Sequence, residues 1–338
     1  MMPAMTFTPA SFARRRLCRG AVLAACGAAL AATGLPALAQ NLPRTVRLIV
    51  AYPPGGVADV VARTLAERLA AQTGSTFVVD NKAGASGTIA MEALAKAAPD
   101  GATLGFSAIS PLVLSPHLGK LPFDPQRDVV PVASVMYSPV VLLATSAEGS
   151  ADMRALLAKA RAQPGAVRWA TSGPASLGHV MLEQLRAAAR VDITHVPYKG
   201  GGQQMTDALS GQFEVLSTNA GPAVAIQVKA GKLRPLAVGA PARLESMPGV
   251  PTLGELGFKD ANLSSQFGVF APQGLPAPLL ARLNTEIDAA LQSPQMRQRL
   301  TTTDNVPTGG SPAAFAKEIA AEYENNGRII RAAGIKAD

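Results

Sequence analysis

Cysteine is almost absent from this chain. Cys18 and Cys26 are the only two in 338 residues, and both precede Ala37-Leu38-Ala39, a small-residue signal-peptidase site. The mature chain is therefore expected to have no disulfide, thiolate metal site or cysteine nucleophile. Histidine is scarce as well: His117, His179 and His195 form no His-x-x-x-His pair, so no zinc site is expected. Aromatic residues make up 4% of the chain and are not interleaved with blocks of lysine and arginine, which argues against a nucleic-acid partner. Beyond the leader no apolar run reaches the ~18 residues of a membrane span. Enzyme signatures are missing too. Gly84-Ala85-Ser86-Gly87 and Gly173-Pro174-Ala175-Ser176-Leu177-Gly178 come near a nucleophile elbow, but neither has Gly-x-Ser-x-Gly spacing. The glycine turns also lack the Gly-Lys-Ser/Thr of a nucleotide loop. No catalytic residue, metal or cofactor is expected, and a hydrolase is set aside.

What is present begins with a leader. Arg14, Arg15, Arg16 and Arg19 form a basic region, 20–35 is rich in Ala and Leu, and the cut falls before Gln40, so 1–39 reads as a secretory signal peptide. Arg14-Arg15-Arg16-Leu17 resembles a twin-arginine motif and equally fits an Arg-rich general secretory leader. Leu23-Ala24-Ala25-Cys26 resembles a lipoprotein box, with a short apolar core before it. The chain carries a formal charge of +8, and losing the four leader arginines leaves +4. A modest positive excess suits an anionic small ligand or simply solubility.

The remaining chain alternates strands with helices. Leu48-Ile49-Val50-Ala51 reads as a buried strand, stopped by Pro53-Pro54 and turned by Gly55-Gly56. A helix is expected over 59–72, with Val61, Leu65 and Leu69 on one face. The turn aims backbone N–H groups, with the partial positive charge of a helix start, at the space above the strand. An ordinary βα turn whose amides bind water would look the same. Further units follow: strand 76–79, the turn Gly84 to Thr88 with its helix, and strand 103–106 ending at Ser107. A strand over 140–145 precedes a helix at 152–163. The strands 167–170, 193–196, 213–217 and 233–238 come next, and the last helices are expected at 278–292 and 312–333. Such alternation argues for parallel α/β units, whose ligands gather beyond the carboxyl ends of the strands. Both glycine turns and Ser107 lie at such ends.

Tyr-Pro-Pro-Gly-Gly-x-x-Asp-x-x-Ala-Arg (Tyr52 to Arg63) resembles the first signature of the Bug, or TctC-like, proteins, periplasmic solute-binding proteins of tripartite tricarboxylate transporters. Pro99-Asp100-Gly101, Thr171-Ser172-Gly173, His195 to Gly201 and Met247 to Leu253 match later signatures in the family's order, so the resemblance covers essentially the whole mature chain. Three positions depart from it. Ala83 stands where proline is usual, Asn219 where aspartate is common, and Gln266 where tryptophan is usual.

The resemblance implies an α/β protein with the two-lobe type II periplasmic-binding-protein fold, each lobe a mixed sheet flanked by helices. Domain 1 would be 40–142 plus 268–338, with 143–267 inserted as domain 2. It implies a monomer that closes on a small organic carboxylate and delivers it to the membrane permease subunits of a tripartite transporter. A periplasmic sensor presenting the same solute to a receptor kinase is the alternative. Tyr52, Pro53, Gly55, Gly56, Asp59, Ala85, Ser86, Gly87 and Thr88 are expected to hold one carboxylate, with Ser107 at a nearby strand end. Thr171, Ser172, Gly173 and Asn219 would hold the other end, with His179 and Tyr198 in the same loops. His179 and His195 also read as loop-to-helix hydrogen-bonding residues. Asn219, with a donor and an acceptor, is expected to tolerate a second carboxylate.

Overall fold

The structure is a computed structural model that describes residues 42–174, 176–198 and 201–334, with Met1 and Pro3. The leader with its arginines and Cys26, Ala175, and Lys199-Gly200 lie outside the described residues.

Strand β1, Thr45–Val50, ends in Leu48, Ile49 and Val50, buried on both faces as expected of a strand covered by helices on both sides. The Pro-Gly turn leads into helix α1, Val57–Thr73, whose Val61, Leu65 and Leu69 are buried. Helix α1 ends at Gly74, where φ is 74°, a left-handed conformation that favours glycine. Strands β2 (Thr76–Asn81) and β3 (Thr103–Ala108) flank β1 in parallel, with helix α2 (Thr88–Ala95) between them in sequence and the single turn α3 (Ser110–Val113) after β3.

Strand β4, Val129–Ala144, is far longer than the 140–145 segment expected from sequence. Pro131 and Pro139 hid its first part, because proline cannot donate to a ladder. Pro131 sits where the pairing with a later strand, Ser264–Pro272, shifts, and Pro139 sits where β4 changes partners. Up to Pro139 the strand pairs antiparallel with β9 (Ser264–Pro272); from Val140 it lies between β7 (Val215–Asn219) and β8 (Arg234–Gly239). The units between are α4 (Met153–Ala162), β5 (Arg168–Thr171), α5 (Leu177–Ala189), β6 (Thr194–Pro197), α6 (Gly201–Leu209) and α7 (Pro222–Lys229). β5 pairs in parallel with β6 and β7. After β9 come α8 (Ala277–Gln292), α9 (Pro294–Thr301), β10 (Val306–Pro307) against β4, and α10 (Pro312–Ala333).

Both sheets thus mix parallel and antiparallel pairs and share β4. Helices α1 and α8 cover one face of the first sheet, burying Leu65, Leu69, Leu283 and Ile287 with Val46 and Phe106. On the second sheet Leu142 packs with Trp169 and Leu185, and Leu143 on the opposite face packs with Phe213 and Leu233. Each such side chain contributes roughly 1.5–3 kcal/mol relative to exposure. Phe315 and Ile330 of α10 join Phe270 and Val180 in a further cluster. A Cβ at Gly268 in β9 would collide with the Phe315 ring, so only glycine lets that ring lie flat on the strand. Gln266, in place of tryptophan, is buried but satisfied: its Nε2 donates to Ser134 Oγ at 3.2 Å and to Glu318 Oε2 at 2.5 Å.

Candidate functional site

A cleft of about 310 Å³ opens beyond the carboxyl ends of β1, β3 and β7. The first residues of four helices line it: Val57 and Ala58 of α1, Leu177 and Gly178 of α5, Gly201 and Gly202 of α6, and Pro222, Ala223 and Val224 of α7. First-turn amides have no partner inside a helix. Only part of them is used here: the Ser176 side chain accepts from the His179 amide, which leaves the Leu177 and Gly178 amides to the cleft. Each helix start carries about +0.5 of an elementary charge, favouring an anion by about 0.3–1 kcal/mol apiece and more when desolvated. Among the described residues no Asp, Glu, Lys, Arg or His lines the cleft. Its positive potential therefore comes from backbone dipoles, with hydroxyls of Ser86, Ser110, Ser172, Ser176, Ser217, Thr218 and Ser265 around them.

The first turn is locked from behind. Asp59, only 4% exposed, accepts from the Gly55 amide at 2.9 Å, Arg63 Nε at 3.0 Å and Asn81 Nδ2 at 2.9 Å. Asn81 Nδ2 also donates to the Tyr52 carbonyl at 2.9 Å, fixing the other end of the turn. Burial alone would raise the Asp59 carboxyl, but Arg63, the Gly55 amide and Asn81 together outweigh it and hold the group below the usual carboxylate range. Asp59 shapes the seat and does not line it. Gly55 takes the left-handed φ of 80°, whereas Gly56, at φ −73°, sits in ordinary extended backbone. The left-handed position of this turn is therefore Gly55, not Gly56.

Tyr52 lies on the cleft wall with its ring 5.7 Å from that of Phe267. Burial pushes its phenol up to about 12, with Ser107 and the Ala108 backbone pulling the other way. Ser107 is fully buried behind it and does not line the cleft.

The second turn is unusual backbone. Gly84, Ala85, Ser86 and Gly87 all have positive φ, two of them without the freedom of glycine. The turn brings Ser86 into the cleft, where its Oγ donates across to the Pro174 carbonyl at 2.7 Å. Ala85, Gly87 and Thr88 do not reach the cleft; a Cβ on Gly87 would press on Pro111 at 2.9 Å, so that glycine serves close packing.

Of the far-side residues, Ser172 and Asn219 line the cleft. Thr171 is buried beneath it, its Oγ1 donating to the Gly173 carbonyl at 3.1 Å and lying 2.8 Å from His195 Nε2. A Cβ on Gly173 would press on the Tyr198 carbonyl at 3.0 Å, so this glycine allows a close backbone approach. The ring of His179 stacks on His195 at 4.0 Å and lies 3.7 Å from Glu183, behind α5. Tyr198 donates to Asp207 Oδ2 at 2.8 Å, and burial together with that acid pushes its phenol up to about 12. Asn219 Nδ2 donates to the Ser138 carbonyl at 3.2 Å and Ser265 Oγ at 3.0 Å. Its donor capacity is spent inside the protein, so the expectation that it offers the ligand both a donor and an acceptor is corrected to an acceptor alone.

The structure thus brings Tyr52, Pro53, Gly55, Gly56, Ser86, Ser172 and Asn219 together and leaves Asp59, Ala85, Gly87, Thr88, Ser107, Thr171, Gly173, His179 and Tyr198 as the frame behind them. Sequence reasoning missed the apolar wall of Val140, Met205, Val224 and Phe267. It also missed the start of α7, although Gly221-Pro222, glycine followed by proline at a helix's first position, is a readable signal. Among the described residues no cluster of His, Cys, Asp or Glu could hold a metal, and no helix is long and apolar enough to cross a membrane.

The profile described as Tripartite tricarboxylate transporter family receptor matches residues 61–335. Protein BugT of Bordetella pertussis is 36% identical over 306 residues, covering 89% of this chain and 93% of BugT. Three solved structures resemble the chain closely and cover 98% of their own lengths. These are the periplasmic binding protein BugD (26% identity, TM-score 0.81, 86% of this chain), R. palustris Rpa4515 with adipate (32%, 0.82, 86%) and MatC from Rhodopseudomonas palustris with bound malate (28%, 0.79, 85%). The shared architecture is the two-lobe type II periplasmic-binding-protein fold, each lobe a mixed sheet flanked by helices.

Proposed function

The chain belongs to the tripartite tricarboxylate transporter receptor family of periplasmic solute-binding proteins, and from that premise we propose that its cleft captures a small organic carboxylate for delivery to the membrane permease subunits of such a transporter. The observation that carries this reading is the convergence of four helix starts on a cleft lined, among the described residues, by no charged side chain. Such a site favours an anion of modest charge and releases it without breaking a strong ion pair. The adipate and malate bound to the two R. palustris proteins support the same ligand class.

The lobes of this proposal are 40–142 with 268–338, and 143–267. Ser86 donating to Pro174, and Gly221 packed against Val57, join them over the cleft. A ligand touching both sides would stabilise that closed arrangement, because only there are all its contacts made. Tyr52, Gly55, Gly56 and Ser86 act from the first side; Ser172, Asn219 and the starts of α5, α6 and α7 act from the second. Export to the periplasm follows from the leader, and the protein works as a monomer.

Thermal-shift screening of the mature protein against adipate, malate, aromatic acids, sugars and cations tests this. A ligand at a hundredfold excess over Kd stabilises by about 2.7 kcal/mol. A carboxylate that raises the midpoint supports the reading; a sugar or cation that does so while no carboxylate does overturns it.

A further inference from the structure

The end of β7 restricts which carboxylate fits, an inference that rests on the anion-binding reading above. A carbonyl oxygen only accepts, so the group 3.2 Å from the Ser138 carbonyl must be the Asn219 amide nitrogen, and its second N–H goes to Ser265 Oγ at 3.0 Å. With both N–H groups spent, what Asn219 has left to offer the cleft it lines is Oδ1, an acceptor that receives nothing from the described residues. Ser265, 7% exposed and also on the cleft wall, accepts from Asn219 and gives its own proton to none of the described residues. An acceptor and a donor therefore stand side by side. A second carboxylate would set its oxygens against Oδ1. An ammonium could donate to Oδ1 and to the remaining lone pair of Ser265 Oγ, but it would leave the Ser265 proton without an acceptor and would sit in the repulsive field of four helix starts. Asp59, the buried acid of the first turn, is already committed to Gly55, Arg63 and Asn81. A hydroxyl donates and accepts at once and carries no charge.

We propose that the cleft selects a hydroxycarboxylate and that Asn219, with Ser265, is the specificity pair that reads the ligand's hydroxyl. Two matched series serve as probes: butyrate, 3-hydroxybutyrate and 3-aminobutyrate; and succinate, malate and aspartate. Dissociation constants are measured by calorimetry on the mature protein and on Asn219→Leu, with folding checked by melting. In at least one series the hydroxy acid is expected to bind tenfold or more tighter than both its parent and its amino analogue. In Asn219→Leu that preference should fall to within twofold, the readout being the ratio of the hydroxy acid to its parent within each protein and not the absolute affinity. A preference that survives in Asn219→Leu, or one for the parent or amino acid in both series, overturns the proposal and leaves the anion site standing. If none of the six acids binds, the hydroxyl proposal falls, and the anion site stands or falls by the thermal-shift screen. Should Asn219→Leu fail to fold, Ser265→Ala replaces it and must reduce the same preference at least threefold; an unchanged preference overturns the proposal.

Discussion

Asp59→Asn should separate the shape of the first turn from its chemistry. The substitution keeps size but removes the charge and turns one acceptor into a donor facing Gly55, Arg63 or Asn81. A hydrogen bond to a charged group contributes about 1.5–3 kcal/mol. Arg63, 49% exposed, regains water, so its share is screened to about 1 kcal/mol or less. The Gly55 and Asn81 bonds are shielded and account for most of the loss, about 3 kcal/mol in total. At about 2–4 °C per kcal/mol for a chain of this size class, the melting temperature should drop by about 6–12 °C at pH 7. The pH dependence has a definite sign. The folded Asp59 carboxyl lies below its ordinary value, so its stabilisation is complete above that value and is lost as pH falls through the folded one. The gap between wild type and variant should stay constant from about pH 8 to 5 and close only below about pH 4. Scanning calorimetry across that range measures it. A gap under about 2 °C at neutral pH, or one that persists unchanged in acid, would refute the locking role.

Gly55→Ala and Gly56→Val should part company. The first meets open space but forces a left-handed alanine, costing about 1–2 kcal/mol of stability by calorimetry; the second is free of backbone strain, keeps the fold and cuts ligand affinity tenfold or more, about 1.4 kcal/mol. Ser86→Ala removes the bond to Pro174 and should weaken carboxylate binding by several-fold in calorimetry with little change in melting temperature; unchanged affinity would mean that this contact does not hold the closed state. Gly178→Ala drives a Cβ into Ser217 Oγ and should cost about 1–3 kcal/mol, part of which the double variant with Ser217→Ala recovers in melting experiments.

Most of the fold was legible from periodicity. Val61, Leu65 and Leu69 mark the buried face of α1, and the helix expected at 312–333 has those limits in the structure, where the Ser311 side chain caps it and Pro312 opens it. Strand β4 was not legible, since proline within a run argues against a strand, and only the three-dimensional partners show that Pro131 and Pro139 fall at tolerant points. At the site, local turn chemistry pointed to Gly55, Gly56 and Ser86. It could not tell a residue that lines the cleft from one that braces it: Asp59, Thr171 and Tyr198 are polar and lie in the right loops, yet their partners face inward. Nor could it orient Asn219, because that depends on a carbonyl 81 positions away in sequence.

The second half of β4 has a consequence for the chain before it folds. Val140-Val141-Leu142-Leu143-Ala144 is uncharged, rich in β-branched and aliphatic residues and completely buried, with a neighbouring strand on each edge and a hydrophobic cluster on each face. That composition is the signature of a self-associating segment. In the unfolded chain Pro139 is the interruption that adjoins it, acting as a gatekeeper at one end. Solubility of the folded protein is thus expected to depend on keeping β7 and β8 zipped to this strand, and a variant that loosens the second sheet, such as Trp169→Ala, should show aggregation by light scattering on heating below the temperature at which the wild type does.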